Sequence, residues 1–450
     1  MRQFSIALPP QVEQVLRRLE ERGYEAYAVG GCVRDAILGR APNDWDVTTS
    51  ALPEQTAACF ADCRVVETGI KHGTLTVILE GMPLEITTFR SDGEYLDHRH
   101  PLSVTFATRV EEDLSRRDFT VNAMAYHPER GLVDLFGGRE DLAAGRIACV
   151  GEPERRFDED GLRILRALRF ASVLGFSLEP STAQAIHKMH GLLRHIAPER
   201  IREELGKLIC GKGAAEILGE YADVVAGILP ELGACVGFDQ RTKYHCYDVY
   251  EHTLHALAWA AGDLITRWAI LLHDVGKPLC FTEDERGGHF YGHAEKSAHL
   301  AREVMGRLRF DNVTAAAVVR LVELHQRQLS SDEPSVKRLM QKLSDEDLLR
   351  LLEVQRCDRL ACASPYNQPD PVLEEIPHVL KQIRERGECI SLKTLQVNGQ
   401  DLISLGVPAG KTLGELLSFL LDLVVDGKLP NERDALLQAA KQRWSTLDNR

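Results

Sequence analysis

Two acids separated by one residue, Asp44 and Asp46 in APNDWDVTTS, lie just downstream of a double glycine, Gly30-Gly31. The continuation VTT reads as a strand, and side chains two apart on a strand leave the same face, so the two carboxylates point together. Like charges held side by side cost free energy until a cation lies between them. Hard oxygen ligands suit Mg²⁺, which takes one or two carboxylates and completes its shell with substrate phosphates. Glu85, in the strand-like run LEITTF, offers a third carboxylate from a neighbouring strand. Such a set suits two-metal transfer, in which one ion activates an attacking hydroxyl and the other steadies a leaving pyrophosphate. The glycines permit close backbone approach to a ligand, and RDAIL behind them reads as a helix whose first amides face phosphate. Alone, Gly-Gly is equally the mark of a tight turn, and the two acids the mark of a solvated strand end.

A second constellation is EDGLRILRALRF, residues 159–170, where Asp160, Arg163, Arg166 and Arg169 recur in steps of three. On a helix, steps of three fall about 60° short of a full turn, so the four residues form a slanting ridge with Asp160 beside Arg163. An ionised Asp only accepts hydrogen bonds and Arg only donates, so the pair can meet one planar partner. The plainer reading is a solvated arginine face with an i,i+3 ion pair worth a few tenths of a kcal/mol. A third group comprises His252, the adjacent His273-Asp274 followed two residues later by Gly-Lys, His293, His325 and Asp358. A single helical histidine is usually structural; four beside an acid pair are not so easily dismissed.

These residues need rigid elements behind them. Up to about residue 150, apolar runs of strand length (AYAVG, TLTVILE, LEITTF) alternate with turn residues. From GLRILRALRF onward, apolar residues recur at helical spacing. The expectation is an α/β head on an α-helical remainder. Punctuation falls at GEPERRF (151–157), LPELGACVGF (229–238) and ASPYNQPDP (363–371), and GKLPN reads as a stop before a last amphipathic helix, DALLQAAKQRW. With 450 residues, 44% hydrophobic and 27% charged, the chain has material for several cores. Apolar runs such as LLSFLLDLVV carry an acid well short of the ~20 residues that span a bilayer, so neither export nor membrane insertion is expected. The eleven cysteines contain no CxxC pair, which argues for reduced cytosolic thiols rather than a disulfide framework or zinc ribbon. A net charge of -13 excludes indiscriminate coating of nucleic acid, yet residues 161–202 hold seven Lys or Arg against two Glu, a local basic surface.

GGCVRDAILGRAPNDWDV resembles the signature of the nucleotidyltransferase superfamily in the form used by bacterial tRNA nucleotidyltransferases, the CCA-adding enzymes of the poly(A) polymerase family. RRDFTVNAMAY (116–126), VDLFGGREDL (133–142), EDGLRILRALRFA (159–171) and PERIREEL (198–205) resemble further motifs of that family in the same order. The resemblance implies an α/β nucleotidyltransferase head followed by all-α neck, body (HD-type) and tail domains. We place these at 1–150, 151–215, 216–365 and 366–450. It implies a triphosphate held at the Gly30-Gly31 turn and Arg34, Mg²⁺ at Asp44 and Asp46 with Glu85 as a third acid, and a nucleotide contact at Arg117.

It also assigns base recognition to Asp160 and Arg163, with Arg166 and Arg169 near the nucleotide or its phosphates. Chemistry supports that assignment. Cytosine and adenine each present an amino donor beside a ring acceptor, which one acceptor–donor pair fits. Uracil and guanine present a carbonyl and a ring N–H instead, leaving groups unpaired at about 1–3 kcal/mol each. The polar segment 88–114 resembles the loop present in enzymes that add the terminal A. The basic residues Arg194, Arg200, Arg202 and Lys207 suit phosphate contacts along a tRNA acceptor arm, although a plain amphipathic surface accounts for each taken singly.

The histidine group resembles the HD superfamily of metal-dependent phosphohydrolases. There His252, His273, Asp274 and Asp358 match the core ligand order for a divalent or transition metal, and His293 and His325 would support a second metal or a substrate phosphate. The tail, 397–431, resembles C-terminal helical regions that touch the distal acceptor arm. The expected function is template-independent building or repair of the 3′ CCA end of tRNA from CTP and ATP, with Mg²⁺, in the cytoplasm. The alternatives are an A-adding form with a CC-adding partner and an HD phosphohydrolase with an RNA-binding head. Less favoured are a poly(A) polymerase, which generally has a more basic chain, and a non-enzymatic tRNA-binding protein.

Overall fold

The computed structural model describes residues 5–67, 69, 70, 73–92 and 104–448. The chain folds as two compact units, 1–234 with 306–310, and 235–305 with 311–450.

The first unit is built on a mixed seven-stranded sheet. Its head strands are β1 (Ala26–Val29), β2 (Asp46–Thr49), β3 (Arg64–Val66), β4 (Thr74–Leu79), β5 (Met82–Thr88), β6 (Arg90–Asp92), β7 (Val104–Phe106), β8 (Met124–His127) and β9 (Gly131–Asp134). The sheet order is β3-β4-β5-β2-β1-β8-β9, while β6 and β7 form a separate antiparallel ribbon. The one parallel pairing in the sheet, β2 with β5, sets Asp46 opposite Glu85. The alternation expected of a half-buried strand is plain in β4 and β5: Leu75, Val77, Leu84 and Ile86 are buried, and Glu85 is exposed. Tyr27 and Val29 of β1 close a core with Phe89, Val110 and Leu114. Residues 93–103, the centre of the segment that resembles an A-adding loop, lie outside the described residues.

Beyond the head, a two-residue strand pairing, Arg146–Ile147 with Ser177–Leu178, ties the expected neck to the head. The GEPERRF stretch is a corrected expectation: only Gly151 and Glu152 form the turn, and Pro153–Glu159 is a helix with its proline in the first turn, where a missing N–H costs nothing. The next helix, Leu162–Leu174, buries Ile164, Leu165, Leu168 and Ala171 and packs against the helix Pro198–Ile209.

In the second unit, the helices Val249–Trp259, Leu264–Leu272, Asn312–Leu324 and Asp345–Leu360 surround buried Trp268, Leu271, Val318 and Leu351. Their starts are capped by Asp248, Asp263, Asp311 and Ser344, each accepting a first-turn amide and each worth about 1 kcal/mol. The body is not wholly helical, since a hairpin pairs Thr282–Asp284 with Gly287–His289. The tail helices Gly399–Ile403, Lys411–Val425 and Arg433–Asp448 close their own core around Leu402, Leu416, Leu420 and Leu436. All eleven cysteines are free. Among the described residues no helix is long and apolar enough to cross a membrane.

Candidate active site and a buried histidine–aspartate cluster

Gly30 ends β1 at φ +82°, in the region that side chains avoid, and a Cβ there would sit 2.9 Å from the Arg117 guanidinium. Gly31 differs: a Cβ would meet only Arg34 at 3.7 Å, an ordinary contact. The turn therefore demands glycine at its first position, and the second opens a seven-residue helix, Gly31–Ile37.

Asp46 begins β2, and Asp44 stands two residues earlier, exposed, with Trp45 buried between them. Burial, and then the charges of Asp44 and Glu85, push the Asp46 carboxyl up to about 6 against a downward pull from Arg117. Burial and like charge together are relieved when a cation lies among the carboxylates. The three acids thus fit a divalent ion chemically. Their oxygens nevertheless stand apart: among the described residues, the groups of three or more ligand atoms within 4.8 Å of one another lie elsewhere.

A chain of ion pairs backs the acids. Arg34 bonds Asp35 through Nε at 2.9 Å and Asn122 at 2.7 Å, and lies over the Phe170 ring. Asn122 in turn donates to Asp118 at 3.3 Å, which accepts Arg166 Nε at 2.8 Å and Nη2 at 2.5 Å. Arg169 bonds Glu204 at 2.5 Å and covers the same Phe170 ring at 3.9 Å. Burial pushes the Asp118 carboxyl up, but the charge and hydrogen bonds of Arg166 prevail and hold it at about 2. Arg117 bonds Asp113 at 3.1 Å, while its Nε is buried without a hydrogen-bond partner. Sequence spacing alone does not single out Asp118, Asn122 or Glu204, although the first two lie inside RRDFTVNAMAY and Glu204 lies inside PERIREEL.

The ridge is a second correction. Asp160 precedes the helix, with extended φ -145° and ψ 105°, and only Arg163, Arg166 and Arg169 lie on Leu162–Leu174. The break turns Asp160 toward Arg200, whose Nη2 donates to it at 3.0 Å. Arg163 is buried and spends its donors on Glu159 at 2.7 Å and on the carbonyls of Arg156 and Arg116, each at 3.2 Å. Of the basic residues expected on the tRNA face, Arg194 and Lys207 are exposed, while Arg200 serves Asp160 and Arg202 lies over Phe310.

The histidine group is gathered wholly within the second unit. His252, His273, Asp274 and Asp358 form one set of converging ligand atoms, and Asp274, His293 and His325 form another, sharing Asp274. Each imidazole is turned the same way. Nδ1 faces a backbone carbonyl, at 3.3 Å for His252, 2.7 Å for His273, 2.8 Å for His293 and 2.6 Å for His325, which leaves every Nε2 directed inward. A carbonyl partner on the far nitrogen is the usual means of orienting a metal-bound imidazole. At the centre, His273 Nε2 and both Asp274 oxygens are buried without a well-angled hydrogen bond, although Lys277 Nζ stands 2.6 Å from Asp274 Oδ2 as an ion pair. Burial alone would push His273 down, but Asp274 and Asp358 outweigh it and raise it to about 10. The His293 and His325 Nε2 atoms face one another at 3.3 Å. A cavity of about 800 Å³ opens onto this cluster, with Lys277, Arg327 and Arg359 in its lining. The buried acceptors and aligned nitrogens fit a bound cation.

The sheet with its acid-bearing parallel pair defines the first unit as a nucleotidyltransferase head. The Poly A polymerase head domain family matches residues 26–148. The family described as "Probable RNA and SrmB- binding site of polymerase A" matches 175–233, and a tRNA nucleotidyltransferase domain 2 family matches 290–440. The chain is 35% identical to the CCA-adding enzyme of Geobacillus stearothermophilus, covering 96% of this chain and 97% of that one. It is 36% identical to the CCA-adding enzyme of Geobacillus thermodenitrificans, over 98% and 99%. The crystal structure of the Bacillus stearothermophilus CCA-adding enzyme in complex with CTP superposes with TM-score 0.77 at 31% identity, covering 98% of this chain and 100% of that chain. A Thermotoga maritima CCA-adding enzyme complexed with tRNA shares the fold, at TM-score 0.59 and 22% identity, over 97% of this chain and 96% of that one. The chain belongs to the CCA-adding enzymes, the tRNA nucleotidyltransferases that build the terminal CCA.

Proposed function

We propose that this chain adds C, C and A in turn to the 3′ end of tRNA in the cytoplasm, taking CTP and ATP without a nucleic-acid template. Asp44, Asp46 and Glu85 would hold Mg²⁺. Bound there, the ion supplies charge neutralisation for the triphosphate and for the attacking 3′ hydroxyl. Gly30 keeps the turn open beside Arg117, and Arg34, steadied by Asn122, offers cationic charge toward the phosphates. Asp160 accepts the amino group that cytosine and adenine share. Arg166, locked to Asp118, holds the recognition helix against the head, and Arg169, locked to Glu204, holds it against the helix Pro198–Ile209. Arg194 and Lys207 are placed to meet backbone phosphates of the acceptor arm. The observation that carries this reading is Asp46 set opposite Glu85 on paired strands, its carboxyl raised to about 6 by burial and two like charges. Primer extension on tRNAs ending before C, after C and after CC, with each nucleotide separately, tests it. Addition of C from CTP alone is expected; extension by ATP only, on the tRNA ending in CC, would leave an A-adding enzyme.

A second activity rests on the His252, His273, Asp274, Asp358, His293 and His325 cluster. We read it as a site for a divalent or transition metal that hydrolyses phosphoesters. A metal held there supplies Lewis acidity toward the ester and a water. The chain's own part is to present four oriented Nε2 atoms and two carboxylates, with Lys277 and Arg327 toward the phosphate. Hydrolysis of bis(p-nitrophenyl) phosphate by metal-loaded protein should vanish in His273→Ala and Asp274→Asn; rates in both variants equal to the unmodified protein's would remove this reading.

A further inference from the structure

Reading a base edge needs an acceptor and a donor held in one plane. Asp160 supplies the acceptor. Its Oδ1 takes the Leu162 N–H at 3.0 Å and its Oδ2 takes Arg200 Nη2 at 3.0 Å. An ionised carboxylate offers about four lone-pair sites, so each oxygen retains capacity for a ligand. The side chain is 18% exposed, and that of Arg200 30%, so the pair borders solvent. The donors of Arg163 are committed to Glu159 and to two carbonyls, and that residue is buried.

Two more features concern Arg200. Its Nη1 is buried without a hydrogen-bond partner, so one strong donor beside Asp160 stands uncommitted. The segment bearing Asp160 also lies close against Leu192, in the stretch that leads into the Arg200 helix, where a Cβ at Gly161 would meet Leu192 Cβ at 3.0 Å. A backbone approach this close allows little drift between carboxylate and guanidinium.

We propose that Arg200 is the positioning residue for base selection, fixing the Asp160 carboxylate in the orientation that accepts the amino group of cytosine or adenine. The inference rests on the reading of Asp160 as the base acceptor. Without Arg200 the carboxylate is free to rotate about χ2, so an acceptor is no longer held fixed against the amino position of the base edge. Uracil is then admitted more readily, because the penalty for setting its carbonyl against a fixed acceptor is relieved.

The test compares kcat/KM for CTP and UTP on a tRNA lacking CCA, in the full-length protein and in Arg200→Met and Arg200→Lys, with melting temperature and tRNA affinity measured alongside. Arg200→Met is expected to lower CTP-over-UTP selectivity by about ten- to a hundredfold, mainly through a raised KM for CTP. Arg200→Lys should recover part of that loss, since an ammonium still donates to Oδ2. Selectivity equal to the unmodified protein's in soluble Arg200→Met overturns the proposal, whether or not the melting temperature falls, and so does an Arg200→Lys variant that recovers nothing of the loss. A uniform loss for both nucleotides, which a merely structural role would produce, overturns it as well. If the unmodified protein extends no tRNA, the reading of the first site fails instead, and that outcome is distinct because it precedes any variant.

Discussion

The acids of the head and the cluster of the second unit both suit metal, yet they are built on opposite plans. Asp44 and Glu85 are exposed and Asp46 half-buried, on a strand pair with no convergence of three ligand atoms. His252, His273, Asp274, His293 and His325 are buried, pre-aimed by backbone carbonyls, and converge on a shared aspartate. On the reading proposed above, the first arrangement would leave coordination to be completed by the phosphates of an arriving nucleotide, as Mg²⁺ prefers. The second encloses its ligands beforehand, which suits an ion that stays. A site that must release product after each addition has reason to be loose; a resident centre has reason to be rigid.

The largest effect that would break this contrast is on transfer itself. Asp46→Asn should reduce nucleotide addition about a thousandfold or more, whereas His273→Ala should leave it within a fewfold. Equal losses in steady-state addition assays would join what we have separated. The same Asp46 substitution should stabilise the metal-free fold. Its carboxyl is raised to about 6. The folded state therefore holds that proton longer than the unfolded chain, and stability is lost as pH rises through 6. Asp46→Asn should accordingly gain about 1–2 kcal/mol at pH 8 and nothing near pH 4, read by denaturant titration in chelator.

Metal retention sharpens the comparison next. After extensive dialysis, elemental analysis of the unmodified protein should still find metal, abolished by Asp274→Asn and untouched by Asp44→Asn. The opposite pattern would reverse the assignment of loose and resident sites.

Smaller effects test the scaffold behind the head. Asp118 is held at about 2, so the stability it contributes is present above the ordinary carboxylate range and lost as pH falls through 2. Asp118→Asn should cost about 2 kcal/mol at pH 7, discounted because Arg166 is a third exposed, with the difference closing between pH 4 and 2. Gly30→Ala should cost about 1 kcal/mol or more, for the backbone region and the Arg117 contact, while Gly31→Ala should cost less by thermal melting.

Much of this site is legible in the chain. Apolar runs of strand length locate β1, β4 and β5, and the double glycine with its paired acids marks the edge we propose as catalytic, because strand geometry puts alternate residues on one face whatever surrounds them. The spacing of the arginines is legible too, and Arg163, Arg166 and Arg169 do share a helix. Asp160 is misplaced by spacing because a step of three assumes an unbroken helix, whereas the backbone at Asp160 is extended, a break that no local pattern announces. The partners Asp118, Asn122 and Glu204 are equally hidden, each lying tens of residues from the arginine it holds.

By itself the sequence determined which residue types stand at which local spacing, and with them the family, the strand that carries the acids and the candidate ligands of the second centre. Only tertiary structure decided which charges meet: Asp160 with Arg200 rather than Arg163, Arg166 with Asp118, four imidazoles turned toward one aspartate. Local periodicity follows from backbone geometry within a few residues. Pairing of buried charges is a contest among distant segments, settled by which neighbours packing brings within about 3 Å when water is excluded.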